Sequence, residues 1–175
     1  MPTIDQGTIS VLTYKDGLLS RLGHDLRLTL ERFEIEIDGD RVAGRFWPDS
    51  LQIAGAVRDG QLSPGELSQK DRRDIQGNIA KVLQTKRHPE VRFDGRVEQS
   101  AAGPSAAKRL EVSGTLRMVG RQADLTIEVH RDDGKLSGQL TLTPTRWGIQ
   151  PFKALLGALR IQDRVDLEFE LADPT

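Results

Sequence analysis

The stretch LRLTLERFEIEIDGD, from Leu26 to Asp40, alternates apolar and polar residues and changes phase once. Leu26, Leu28 and Leu30 alternate with Arg27 and Thr29, and Phe33, Ile35 and Ile37 alternate with Glu34 and Glu36. A period of two is that of a strand with one face buried and the other in water. The apolar row moves from even to odd positions across Glu31-Arg32, and an unbroken strand would leave one row solvated. A bulge there is the natural device, with two strands meeting as the alternative. Asp38-Gly39-Asp40 reads as a hairpin turn, followed by a strand through Val42, Gly44 and Phe46 that stops near Pro48; Leu51 and Ile53 start the next.

The C-terminal half repeats this grammar. Leu110, Val112, Leu116 and Met118 form one row, Leu125, Ile127 and Val129 another, and Leu136, Leu140 and Leu142 follow a turn at Asp132-Asp133-Gly134. Val165, Leu167, Phe169 and Leu171 against Asp166, Glu168 and Glu170 make the cleanest alternation in the chain. Only the middle differs. Ser63-Pro64-Gly65-Glu66 carries the signals of a helix start, and Leu67, Ile75, Ile79, Val82 and Leu83 fall near one stripe, which predicts a helix or helix pair over 65–85. Pro89 ends it; Val91, Phe93 and Val97 resume the alternation, and the small-residue stretch 100–107 reads as an exposed loop. Antiparallel strands with one helical insertion describe a mainly all-β chain, barrel or sandwich, rather than an α/β sheet.

With 175 residues the chain fits a single domain, 1–175. Lys and Arg number 25 against 26 Asp and Glu, so no global positive field draws a polyanion, and nucleic acid is not an expected partner. The absence of cysteine removes disulfides, thiolate nucleophiles and cysteine-based zinc sites. No run approaches the roughly 18 apolar residues of a membrane span. The first residues lack a basic start followed by an apolar region, which predicts a cytoplasmic protein.

Local catalytic signatures are missing: there is no GxSxG, HExxH, P-loop or GxGxxG pattern, and no metal or other cofactor is expected. His24, His88 and His130 are far apart in sequence. Gly23-His24-Asp25 at the start of an apolar strand has two readings. The imidazole could be a general base oriented by the carboxylate, in a small hydrolase or isomerase, or Asp25 could satisfy backbone N–H groups in a turn; the second is favoured. Arg58, beside Asp59, could grip an anionic head group or form a corner ion pair. Lys70, Arg72 and Arg73, interleaved with Asp71 and Asp74, read as a solvated helix face.

The most unusual segment is Arg146-Trp147-Gly148-Ile149 and the apolar run after Pro151. Phe152, Leu155, Leu156 and Leu159 have the i, i+3, i+4, i+7 spacing of one face of a short helix. Such a segment serves as a plug for the core, an apolar lid over a cavity, or a homodimer contact.

Taken in order, Ser50-Leu51-Gln52-Ile53, Arg58-Asp59-Gly60-Gln61-Leu62, His88-Pro89-Glu90-Val91-Arg92-Phe93, Gly114-Thr115-Leu116-Arg117-Met118-Val119-Gly120 and Thr145-Arg146-Trp147-Gly148-Ile149 resemble the YceI-like family over roughly residues 40–171. The resemblance implies an antiparallel lipocalin-like β-barrel, of about eight strands, whose lumen holds the tail of a hydrophobic or amphiphilic molecule, typically a polyisoprenoid, with its head near the mouth. It implies a binding or carrier protein rather than an enzyme. On that architecture the rows containing Leu28, Phe46, Phe93, Met118 and Phe169 should converge on one interior. Trp147, Phe152, Leu155, Leu156 and Leu159 should cluster at one end, with Arg58 as a polar contact for the ligand.

Overall fold

The computed structural model describes residues 2–98 and 108–175; the loop expected at 100–107 lies outside them. Strands are β1 (Thr3–Ile4), β2 (Gly7–Asp16), β3 (Asp25–Leu30), β4 (Phe33–Asp38), β5 (Arg41–Phe46), β6 (Leu51–Arg58), β7 (Gln61–Ser63), β8 (Val91–Glu98), β9 (Arg109–Met118), β10 (Arg121–Asp132), β11 (Lys135–Leu142), β12 (Lys153–Ala154) and β13 (Leu159–Ala172). Helix α1 (Gln69–Val82) stands between β7 and β8. All strand pairs are antiparallel, and they form one sheet in the order β1-β4-β5-β8-β9-β10-β11-β13-β2-β3-β6-β7, with β12 beside β13.

The sheet closes because two of its strands bend. β3 continues into β4 and β5 into β6, so the half of this double strand that pairs with β2 is tied by the backbone to the half that pairs with β8. The staves of the barrel are therefore β2, β3–β4, β5–β6, β8, β9, β10, β11 and β13. The expectation of about eight strands is corrected to thirteen segments, because bends and short flanking pieces divide the staves.

The phase change at Glu31-Arg32 is a corner where two strands meet, not a bulge within one: β3 ends at Leu30, β4 begins at Phe33, and all of Leu26, Leu28, Leu30 and Phe33 are buried. Ser50 pins this corner to the opposite bend. Its hydroxyl donates to the Trp47 carbonyl at 2.7 Å and accepts the Arg32 N–H at 2.9 Å, while the Arg32 guanidinium lies 4.0 Å from the Trp47 ring centroid. Backbone groups that turning would strand are thereby paired. The hairpins at Gly39-Asp40 and Asp133-Gly134 stand where turn chemistry placed them, with Gly39, Asp133 and Gly134 all at positive φ.

The helix is shorter than 65–85 and starts later. Ser63 is held in β7 opposite Ala56, so its cap signal closes only a turn to Glu66, and the true N-cap is Ser68. Ser68 and Asp71 form a reciprocal capping box: each side-chain oxygen accepts the other's backbone N–H at 3.0 Å. α1 is tied to β6 by Arg72, which donates to the Ile53 and Pro64 carbonyls, and by Gln76, which donates to the Leu51 carbonyl. Arg72 is thus a strut and not part of a solvated face, whereas Lys70, exposed and paired with Asp74, lies on such a face as expected.

On the outer face, Asp166 joins three strands. It accepts hydrogen bonds from Tyr14 on β2 at 2.6 Å, from Thr141 on β11 at 2.7 Å and from its own neighbour Arg164. Partial burial pushes the Asp166 carboxyl up, but the bonds from Arg164, Tyr14 and Thr141 outweigh it and hold the group below its ordinary range. The same bond, helped by burial and the Asp166 charge, raises the Tyr14 phenol to about 12. Tyr14 is the only tyrosine in the chain, so ultraviolet titration of its phenolate reads this site alone. The expected midpoint is about 12 in the native chain and falls toward the ordinary 10 in Asp166→Asn. The folded pKa is raised, so the stability gained from this bond is complete below pH ~10 and lost as the pH climbs toward 12.

Candidate functional site

The inward rows of the barrel line one cavity of about 950 Å3. Its walls are almost wholly apolar: Ile9 and Val11 on β2, Leu26, Leu28 and Leu30 on β3, Leu125, Ile127 and Val129 on β10, and Val165, Leu167 and Phe169 on β13. Ile75, Ile79, Val82 and Leu83 close the side where β6 and β8 are not bonded to each other. Many of these residues are only half-buried although they face inward, because the lumen is wider than its side chains can fill. The volume lies at the upper end of the ~300–1,000 Å3 usual for small-molecule sites.

Glycine shelves keep the lumen wide. Gly95 on β8 and Gly114 on β9 stand directly opposite each other, and the Phe93 ring lies across both. A Cβ at either would come within 2.7 Å of that ring, and at Gly114 within 2.4 Å of the Asp94 carbonyl oxygen. Gly138 on β11 gives the same shelf to Phe169, its cross-strand partner. The rings therefore lie along the wall instead of filling the interior.

Polar groups gather at the two ends. One end, here called the mouth, carries His24, Asp71, Asp74, Asn78 and His88; the other has Asp40, Arg131 and Thr175. Arg131 continues the inward row Leu125, Ile127, Val129 of β10, and its Nε lies 2.8 Å from the buried carboxylate of Asp173, an ionic contact without hydrogen-bond alignment. Thr13 continues the row of Ile9 and Val11, and its hydroxyl is buried with no hydrogen-bond partner among the described residues. Both positions follow from period two, yet attention to apolar residues passes over them.

Of the residues singled out in the sequence, Leu28, Phe46, Phe93, Met118, Phe169, Phe152 and Leu159 line the cavity. Arg58, Trp147, Leu155 and Leu156 do not. The Arg58 side chain is 70% exposed and pairs with Glu66 at 2.6 Å, not with Asp59, which with Gly60 forms the positive-φ pair of the β6–β7 turn. Trp147 is buried behind the wall with Phe93, Leu116 and Ile149, and its indole N–H donates to the Leu116 carbonyl at 2.8 Å. That half of the unusual segment is a plug.

The expected short helix over Phe152–Leu159 is not formed. Lys153 and Ala154 pair with Arg160 and Leu159 as strands, so Phe152 and Leu159 turn inward while the residues at the tip turn out. Leu155 and Leu156, at φ 52° and 56°, form a tight turn with Gly157 and face outward.

The His24 imidazole is 3.7 Å from Glu66, and the Asp25 carboxylate accepts the Lys15 N–H at 2.8 Å. Asp25 thus serves the backbone, as the turn reading has it, and does not orient the histidine. Among the described residues no three His, Asp or Glu side chains gather as metal ligands.

A closed antiparallel barrel with an apolar lumen and polar ends is the architecture of a lipocalin-like protein. The YceI-like domain model matches residues 27–172, and the chain belongs to that family. Two solved structures share the fold. BcnA of Burkholderia cenocepacia superposes with a TM-score of 0.60 over 94% of each chain at 13% identity. A mutant CJ YCEI protein carrying a monobromobimane guest superposes with a TM-score of 0.58 at 10% identity, covering 85% of this chain and 84% of that one. No curated protein sequence matches the chain.

Proposed function

We propose that this protein binds or carries a hydrophobic or amphiphilic molecule, polyisoprenoid-like or lipid-like, with its tail in the lumen. The observation that carries this reading is the apolar cavity of about 950 Å3 bounded by strands on nearly every side. Each methylene equivalent moved from water into such a lumen contributes about 0.8 kcal/mol, so affinity needs no catalytic group and little polar recognition. The head of the molecule would lie at the mouth, among His24, Asp71, Asn78 and His88, which offer both hydrogen-bond donors and acceptors.

Mass spectrometry under native conditions, on protein purified from its own host, tests the proposal; organic extraction then identifies the adduct. A lipid-like adduct is expected, and an unliganded chain that also fails to take up an apolar fluorescent dye would overturn the reading. Ile127→Arg places a charge on the lumen wall and should weaken dye uptake by roughly a hundredfold, because the tail must enter beside a desolvated guanidinium. Glu128→Arg, one residue along and facing outward, should leave uptake unchanged.

A further inference from the structure

Four leucines stand exposed on two neighbouring loops at the mouth: Leu18 and Leu22 between β2 and β3, and Leu155 and Leu156 between β12 and β13. Leu18 is 94% exposed and Leu156 fully so. The loops form one unit. The Leu19 N–H donates to the Ala158 carbonyl at 2.8 Å, and Gly17 packs so tightly that a Cβ there would stand 2.4 Å from the same oxygen. Leu155 and Leu156 both hold a left-handed backbone, a conformation that bulky side chains avoid, in the turn that points them outward.

We propose that this tip docks onto the surface of an anionic lipid bilayer. Side chains this exposed project beyond their neighbours, a shape suited to insertion among acyl chains; a protein partner would need a broad complementary face. The charge around them fits the same occupant. Lys15, Arg21, Lys153 and Arg160 flank the leucines against two acidic neighbours, Asp16, which pairs with Arg160, and Asp25, so the base of the tip holds two more positive than negative charges. The tip is therefore apolar at its end and cationic around its base, as interfacial segments on anionic lipid are. Leu22, Phe152 and Leu159 carry the apolar surface onward into the lumen, so a docked barrel presents its mouth to the bilayer.

Cosedimentation of the full chain with phosphatidylcholine vesicles, with and without phosphatidylglycerol, tests the docking without reference to any ligand in the lumen. Binding is expected to the phosphatidylglycerol vesicles, weaker by at least about tenfold in Leu18→Ser/Leu156→Ser, whose exposed positions leave folding untouched. Arg21→Glu/Lys153→Glu should remove the preference for anionic lipid, and added salt should weaken the native chain's binding. Failure to bind phosphatidylglycerol vesicles, or equal binding by the leucine double variant, overturns the proposal. So does a concentration-dependent dimer in sedimentation velocity that the leucine substitutions abolish, since the tip would then serve a second copy of this chain. Dye uptake in the lumen is read separately, so loss of docking with uptake intact leaves the carrier reading standing.

Discussion

Trp147→Ala should cost about 3–5 kcal/mol of stability, read as a lowered urea midpoint at unchanged slope. The side chain is 1% exposed, the most deeply buried large residue in the barrel. Its removal opens a void among Phe93, Val112, Leu116, Leu142 and Ile149 and leaves the Leu116 carbonyl without the indole N–H. The surroundings are poorly able to collapse. Trp147 is held by a tight turn over Pro144–Trp147, closed by Gly148 at φ 69°, and the Arg121 guanidinium lies against Gly148. Trp147→Phe separates the two contributions: it keeps most of the volume and should lose only the roughly 0.5–1.5 kcal/mol of one hydrogen bond. Equal losses in both variants would place the effect in the hydrogen bond and not in the packing.

Gly114→Val should destabilise by about 3 kcal/mol or more, and here the cause is overpacking. A Cβ at Gly114 stands 2.4 Å from the Asp94 carbonyl oxygen and 2.5 Å from the Gly95 Cα, both backbone atoms of the paired strand, and 2.7 Å from the Phe93 ring. The ring can swing into the lumen, but the strand cannot move without breaking its ladder. Gly65→Ala, where no atom lies within 4 Å of the added carbon, is the matched control and should fall within ~0.5 kcal/mol of the native chain. A folded Gly114→Val protein of native stability would show that the Phe93 shelf is not a fixed part of the wall.

The strand rows were legible because a period of two is written residue by residue. Leu26 to Leu30, Leu125 to Val129 and Val165 to Leu171 all face inward as their alternation requires. Less legible was anything settled by competition between distant segments. Ser63 and Ser68 each begin a Ser-x-x-acid pattern, and only the pairing of Ser63 with Ala56 decides between them. In the same way Phe152, Leu155, Leu156 and Leu159 satisfy a helical spacing, but Lys153 and Ala154 find a partner strand in β13, and the face divides between lumen and solvent. The breadth of the lumen was beyond reach for a related reason. Alternation marks which side chains point inward, whereas the space they leave depends on Phe93 and Phe169 lying over glycines of neighbouring strands.

The pairing of β2 with β13 bears on how the chain is made. Tyr14 and Asp166, bonded across this seam, are 152 positions apart, and β13 follows every other strand of the barrel in chain order. Until it arrives, β2 and β11 each present an unpaired edge to solvent or to a chaperone, and the lumen is an open trough. Closure thus waits on contacts of large sequence separation, which slows folding and leaves the barrel most prone to aggregate before β13 has docked.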